Sequence, residues 1–412
     1  MEIVHRLCCG LDVHKRSVVA CLRQVGSDGR VRKEKRTFGT TTRQLLALSD
    51  WLTQAGCTHV AMESTGVYWK PVYNLLESSV EVILVNAAHI KQVPGRKTDV
   101  KDCEWIAELL QHGLVQGSFV PPQPIRELRD LTRLRAQVIA EQTKVINRLH
   151  KVLEDANVKL ATVASDITGV SGMRMLQKLA EGERDPEVLA DLALRRLREK
   201  LPALRRALEG HVTEHHQYLL SFLLDNLREV KHRIEELDRR IEVHVLPFFE
   251  QIRLLTTIPG VQDRSAQNLL AEIGADMSHF PSAKHLASWA GVCPGNNESA
   301  GKRKPGKTPG GNRWLKRTIA EVALSAKATK NTYAQAQYGR LVGRRGHKRA
   351  IVAVGHALLV AAYHMLKGGT PYKDLGPEHF DRQNPQRQAR YHVKRLERLG
   401  FRVHLEAEEP AA

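Results

Sequence analysis

The chain has 412 residues, too many for one ordinary domain and enough for two or three that each bury a core. Its 63 Lys and Arg against 45 Asp and Glu leave a formal net charge of +18, which points to a polyanion, and nucleic acid is the commonest one because neutralising phosphates releases condensed counterions. A membrane partner is disfavoured: Met1 to Arg6 carry no apolar signal core, and no run reaches the roughly 20 apolar residues of a spanning helix, Ala357 to Met365 coming nearest.

Leu7 to Val13 is an apolar run broken by Asp12, and the polar turn His14-Lys15-Arg16 separates it from a second run, Ser17 to Val25. Ser27-Asp28-Gly29-Arg30 signals a hairpin into the alternating Val31 to Phe38, so three consecutive strands are expected. After Thr40-Thr41-Thr42, a cap sequence, Leu45, Leu48, Trp51 and Leu52 recur at helical spacing, and His59 to Met62 forms a short strand ending at Glu63. A helix over Trp69 to Leu76, a strand over Glu81 to Val85 and a helix beginning near Asp99 follow. The order β-β-β-α-β-α-β-α is that of an α/β, ribonuclease-H-like domain over residues 1–120.

Gly117, Pro121, Pro122 and Pro124 mark a linker. Leu128, Leu131, Leu134, Val138, Val145, Leu149 and Val152 then lie on one helical stripe, and a basic, less patterned stretch runs to about Glu209. Leu220, Leu223, Leu227, Val230, Ile234, Leu237 and Ile241 recur in steps of three and four, a heptad seam. Residues 121–250 are therefore expected as a helical coiled-coil region, paired within the chain or between chains. Residues 251–372 are expected as a mostly helical domain, and 373–412 as a polar tail with a surface helix and a frayed end. The six cysteines include no C-x-x-C pair and read as reduced core residues of a cytoplasmic protein. With aromatics at 5%, phosphate contacts are expected to outweigh base stacking.

Asp12 in Gly10-Leu11-Asp12-Val13-His14-Lys15 and Glu63 in Ala61-Met62-Glu63-Ser64-Thr65-Gly66 each end an apolar strand, and Asp99 and Asp102 sit three apart on one helix face. Four carboxylates that converge repel one another unless divalent cations neutralise them. All-oxygen ligation suits Mg²⁺ or Mn²⁺, and two such ions about 4 Å apart can clamp the attacking and leaving oxygens of a phosphodiester. The bland alternative makes Asp12 and Glu63 turn residues and Asp99 and Asp102 first-turn acids favoured by the helix dipole.

These three motifs, with Ile258-Pro259-Gly260-Val261 and Pro294 to Gly301 far downstream, resemble the DEDD insertion-sequence transposases of the IS110 family over roughly residues 5 to 365. The resemblance implies a RuvC-like amino-terminal domain, a coiled-coil insertion, a carboxy-terminal transposase domain with a nucleophilic serine, and a structured RNA from the element's own non-coding end that guides the choice of donor and target DNA. In that family the serine follows a Gly-x-x-Pro segment, which places it at Ser299 after Gly291-Val292-Cys293-Pro294. A loop serine bonded to its own backbone is the default reading without the resemblance, and Ser288 is the fallback nucleophile.

Gly301 to Thr308 matches the phosphate-loop pattern G-x-x-x-x-G-K-T but lacks an apolar strand before it and a helix directly after it. A basic loop beside the serine is expected instead, with Lys302, Arg303, Lys304 and Lys307 holding phosphates. Ile258 to Val261 and the following Ala266 to Gly274 resemble a helix-hairpin-helix whose turn, at Gly260, grips a phosphate without reading sequence, a plain helical hairpin being the equal alternative. Arg313, Lys316, Arg344, Arg345, Lys348 and Arg349 extend the expected nucleic-acid surface.

The expected function is that of a transposase or recombinase cutting and rejoining DNA through the carboxylates and the serine. It works as a homo-oligomer, since strand exchange engages at least two DNA segments; the resemblance suggests a tetramer, a dimer being the smaller alternative. Two rivals remain: a Holliday-junction-type nuclease using water as nucleophile, and a non-catalytic nucleic-acid-binding scaffold.

Overall fold

The computed structural model describes residues 2–86, 102–294, 298–299, 302–303, 308, 310–383 and 385–406, and only the backbone at 298–299, 302–303 and 387. It divides into two compact units, Met1–Val120 and Pro121–Ala412.

The first unit is a five-stranded mixed sheet, β1 (Leu7–Val13), β2 (Ser17–Val25), β3 (Val31–Gly39), β4 (His59–Glu63) and β5 (Glu81–Val85), in the order β3-β2-β1-β4-β5. β1, β2 and β3 pair antiparallel, and β4 and β5 continue parallel to β1. Strand side chains alternate between faces. Cys9, Leu11, Val13, Val60 and Met62 therefore share one core with Leu45, Leu48 and Leu52 of α1 (Thr42–Gln54) and Val72 and Leu76 of α2 (Trp69–Leu76). Cys8, Ala61 and Val85 face the other way, onto Ile106, Leu109 and Leu110 of α3 (Asp102–Gln111).

The seat of α3 is set by Gly10. A Cβ there would lie 2.3 Å from the carbonyl oxygen of Cys103 and 2.4 Å from the amide nitrogen of Ala107, both backbone atoms that cannot swing away. The far end of α3 is tied to β2 by buried Arg23, whose Nε donates to Gln111 Oε1 at 3.0 Å and whose Nη1 pairs with Glu108 at 3.5 Å. Gly10→Ala is expected to destabilise the unit by about 1–3 kcal/mol, the usual cost of overpacking. An unchanged urea midpoint in that variant would show that α3 is not held against β1.

The second unit is helical. α4 (Gln123–Asp155) and α8 (Glu214–Val245) lie antiparallel along their length. Asp155 bonds His216 at 3.0 Å at one end, Arg135 bonds Asp238 further along, and Glu127 pairs with His244 at 3.8 Å at the other. Of the expected seam, Leu220, Leu223, Leu227, Val230 and Ile241 are buried while Ile234 and Leu237 are only half-buried, and the helix packs along α4 of the same chain. The stretch that lacked a pattern in the sequence contains three short helices, α5 (Val170–Ala180), α6 (Pro186–Asp191) and α7 (Leu201–Leu208). Their Leu176, Leu179, Leu189, Leu204 and Leu208 close a core with Leu149, Leu153, Leu220 and Leu224.

Beyond these come α9 (Phe249–Thr256), α10 (Asp263–Ile273), α11 (Ala283–Trp289), the two-residue strands β6 (Glu298–Ser299) and β7 (Lys302–Arg303), α12 (Arg313–Ala326), α13 (Tyr333–Arg345), α14 (His347–Gly368), α15 (His379–Arg382) and α16 (Pro385–Arg398). The expected ceiling on apolar length needs correction. α14 has 22 residues and is long and apolar enough to cross a membrane by length and composition. Half of its most apolar stretch is buried in the protein, and the Tyr363 hydroxyl inside it donates to the Phe280 carbonyl at 2.9 Å, the behaviour of a core helix apolar on most sides. All six cysteines are free thiols, five of them buried.

Candidate active site

Asp12 is the sixth residue of β1 and Glu63 the last of β4. The parallel register pairs Leu11 with Met62, so the two acids stand at the carboxyl ends of neighbouring strands. Alternation from Cys8 and Ala61 puts both on the face covered by α3. Asp102 opens α3, whose first turns Gly10 admits against β1. Three of the four expected acids therefore come from three elements that meet at one end of one sheet face. Asp99 lies outside the described residues, and among the described residues no three His, Cys, Asp or Glu side chains are grouped as metal ligands.

The Asp12 carboxylate is about one quarter exposed and shares a hydrogen bond with His14 Nε2 at 3.1 Å. The Glu63 carboxylate accepts from Thr65 Oγ1 at 3.0 Å. Neither makes an ion pair with Lys or Arg among the described residues. Glu104 behaves differently: Lys35 at 2.6 Å and Lys33 at 3.2 Å bind it, and the Lys35 hydrogen bond, helped by Lys33, holds its carboxyl down to about 2. The acid that α3 presents to β3 is thus already neutralised by protein cations, whereas Asp12 and Glu63 keep oxygen donors for a cation from solution. That donor chemistry fits Mg²⁺ or Mn²⁺. The sequence reading gave no role to His14 or Thr65; the signal for both was their place two residues after an expected ligand.

In the second unit, Ser299 stands in β6 opposite Lys302 of β7, an antiparallel two-residue pairing. The side chains of Ser299, Lys302 and Arg303 lie outside the described atoms, as do Lys304 and Lys307 altogether. Where a nucleotide-binding phosphate loop needs a bare loop running into a helix, this segment has paired strands, and α12 starts only at Arg313. Gly310 accepts a hydrogen bond from Lys316 Nζ, so one expected phosphate ligand is engaged at the base of that segment. Arg313 stacks over Trp314 at 4.8 Å. Ser288, the fallback nucleophile, is exposed on α11.

The Gly260 turn joins α9 to α10 as expected. Its φ of +82° and the position of its missing Cβ, 2.5 Å from the Ala326 amide nitrogen, both demand glycine and seat the turn on the end of α12. Arg344, Arg345, Lys348 and Arg349 are exposed around the junction of α13 and α14, and none has an ion pair among the described residues.

A network the sequence did not signal joins α4, α10 and α12. Glu272, 2% exposed, takes Nε and Nη2 of Arg133 at 2.8 Å each and also the Asn312 side-chain amide, while Arg129 caps the Ala271 and Glu272 carbonyls at 2.8 Å. Asn312 in turn caps α12 by accepting from the Trp314 amide at 3.0 Å. Burial pulls the Arg129 guanidinium down to about 10, with Glu272 opposing. Glu272→Ala is expected to cost about 1–3 kcal/mol, because Arg133 and the Asn312 amide lose their acceptor while Arg129 keeps its bonds to the two backbone carbonyls. Chemical denaturation measures it, and a loss under about 1 kcal/mol would rule out the network as a tie between these helices.

Two family models match the chain: a DEDD transposase model of IS110 type over residues 9–158, and the model described as Transposase IS116/IS110/IS902 family over residues 252–339. Among similar proteins, the insertion element IS110 uncharacterized 43.6 kDa protein of Streptomyces coelicolor is 28% identical, over 69% of this chain and 74% of its own length. The pilin gene-inverting protein of Moraxella bovis is 29% identical over 38% of this chain, which spans half of that protein. A probable family 20 transposase of Pseudomonas aeruginosa is 24% identical over 60% of this chain and 64% of its own length.

Proposed function

Because the chain belongs to the IS110 family of transposases, we propose that it breaks and rejoins DNA with two sets of groups, the carboxylates of its first unit and Ser299 of its second. The observation that carries the reading is the register of β1 against β4, which sets Asp12 beside Glu63 on the face where α3 delivers Asp102. The sheet order β3-β2-β1-β4-β5 with its antiparallel and parallel halves supports a ribonuclease-H-like, RuvC-like domain over residues 1–120. Residues 121–250 then act as the helical spacer, 251–372 as the transposase domain and 373–412 as the tail.

Asp12, Glu63, Asp99 and Asp102 would hold Mg²⁺ or Mn²⁺, which supplies charge neutralisation to the oxygens of the reacting phosphodiester. His14 holds the Asp12 carboxylate in place through their shared bond. The Ser299 hydroxyl oxygen attacks phosphorus and gives up its proton to a nearby base. The bond from phosphorus to the departing deoxyribose oxygen breaks, and that oxygen takes a proton. The phosphoserine link keeps the phosphoryl group activated, so attack by a hydroxyl of the partner strand restores a phosphodiester and frees the serine. No oxidant or nucleotide is consumed. Strand exchange needs two such sites, hence a dimer or tetramer acting on donor and target DNA in the cytoplasm, and the family resemblance supports a structured guide RNA from the element as its addressing partner.

The test is recombination between two plasmids carrying the element's end and its target, with purified protein, with and without co-expressed flanking RNA. Joined product and a denaturation-resistant protein–DNA adduct are expected with Mg²⁺ and absent with EDTA. Adduct-free, metal-dependent cutting would favour a nuclease that uses water, and binding without any cutting would favour a scaffold.

A further inference from the structure

The carboxy-terminal helix α16 (Pro385–Arg398) lies beyond both segments matched by the family models. Its fourteen residues, PQRQARYHVKRLER, hold five Lys or Arg against one Glu. Arg390, Lys394 and Arg398 recur every four residues and so form a stripe along one side of the helix. All three are exposed, and none has an ion pair among the described residues. The opposite stripe, Ala389, Val393 and Leu396, contains the half-buried Ala389 and Val393, and α16 packs against α15 (His379–Arg382). The neighbouring α15 is itself anchored: Phe380 stacks on Tyr333 at 5.0 Å, and Arg340 lies over Phe380 at 4.9 Å. With Arg390, Lys394 and Arg398 turned to solvent, the helix offers a row of positive charge that a polyanion complements better than separate small counterions do.

We propose that α16 is an arm that docks on the phosphate backbone of duplex DNA. Arg390 to Arg398 spans about 12 Å of helix axis, a length over which a duplex presents roughly seven phosphate charges. A lipid surface fits less well, since an interfacial helix needs a continuous apolar face, and here the exposed Tyr391, Leu396 and Leu399 are interrupted around the helix by His392 and Arg395. The choice of duplex DNA over RNA rests on the proposed function, in which DNA is the substrate. Contacts of this kind carry charge but no base readout, so the arm adds affinity uniformly across sequences.

The full-length protein and its R390Q/K394Q/R398Q variant are titrated with a labelled 30-base-pair duplex of arbitrary sequence in EDTA, from about 50 to 300 mM NaCl, an assay independent of the serine and the carboxylates. Losing three phosphate contacts is expected to flatten the plot of log K against log salt by about 2.7, and to weaken binding near 150 mM on the order of tenfold. R390K/K394R/R398K, which preserves charge, is expected to keep the wild-type slope. Should the glutamine variant lose helix by circular dichroism, R390A/K394A/R398A, which removes the charge with the strongest helix former, decides: a flattened slope supports phosphate docking and an unchanged one overturns it. An unchanged slope in a folded glutamine variant overturns the proposal, and so does a loss confined to a structured RNA or to phosphatidylserine vesicles.

Discussion

Asp12→Asn is expected to lower the rate of metal-dependent strand exchange by about a thousandfold or more while leaving DNA binding and the thermal midpoint nearly unchanged. Asn keeps the size of Asp and can still bond His14, so the fold has little reason to respond. What disappears is one full negative charge from an all-oxygen donor set. A cation site of this kind supplies several kcal/mol of charge stabilisation, and about 4 kcal/mol corresponds to three decades of rate. Glu63→Gln is expected to behave alike, because its carboxylate also lacks a Lys or Arg partner among the described residues. Glu104→Gln serves as the contrasting control: its acid is committed to Lys33 and Lys35, and its loss is expected to cost stability rather than chemistry. Recombination by Asp12→Asn within a few-fold of wild type would remove the carboxylates from the mechanism.

Ser299→Ala is expected to abolish both the covalent protein–DNA adduct and the joined product, because no other group in the proposed reaction conserves the energy of the broken phosphodiester. Binding to the same DNA is expected to survive, since the cations of the β6–β7 hairpin and of α12 to α14 are untouched. Peptide mapping of the wild-type adduct should place the linked nucleotide on the peptide containing Ser299. Cleavage that persists in Ser299→Ala without an adduct would transfer the nucleophilic role to water. An adduct that persists would move it to another hydroxyl, Ser288 on the exposed side of α11 being the first to examine.

Much of the first unit was legible because its central strands are short apolar runs bounded by polar turns, as strands covered on both faces are. Leu7 to Val13, Ser17 to Val25 and Glu81 to Val85 have the bounds their apolar pattern suggests, and Thr41 stands just before α1 although its side chain makes no capping bond. The region between Ala156 and Val212 was not legible. α6 is only six residues long, too short to display a helical period, and the core that orders α5 to α7 borrows Leu149, Leu153, Leu220 and Leu224 from distant helices. Glu272 was invisible for a related reason: in sequence it is one more acid on an amphipathic helix, and only the arrival of Arg133 and Asn312 turns it into a buried hub.

The order of residues by itself settled the positive charge, the kinds of side chain available for phosphoryl chemistry, and the family, because composition and short motifs are local and survive without a fold. Which strand and helix ends come together was decided by the tertiary structure. Strand pairing is non-local: the parallel register of β1 with β4 and the bare backbone of Gly10 under α3 bring Asp12, Glu63 and Asp102 to one end of a sheet, while Lys33 and Lys35 claim Glu104.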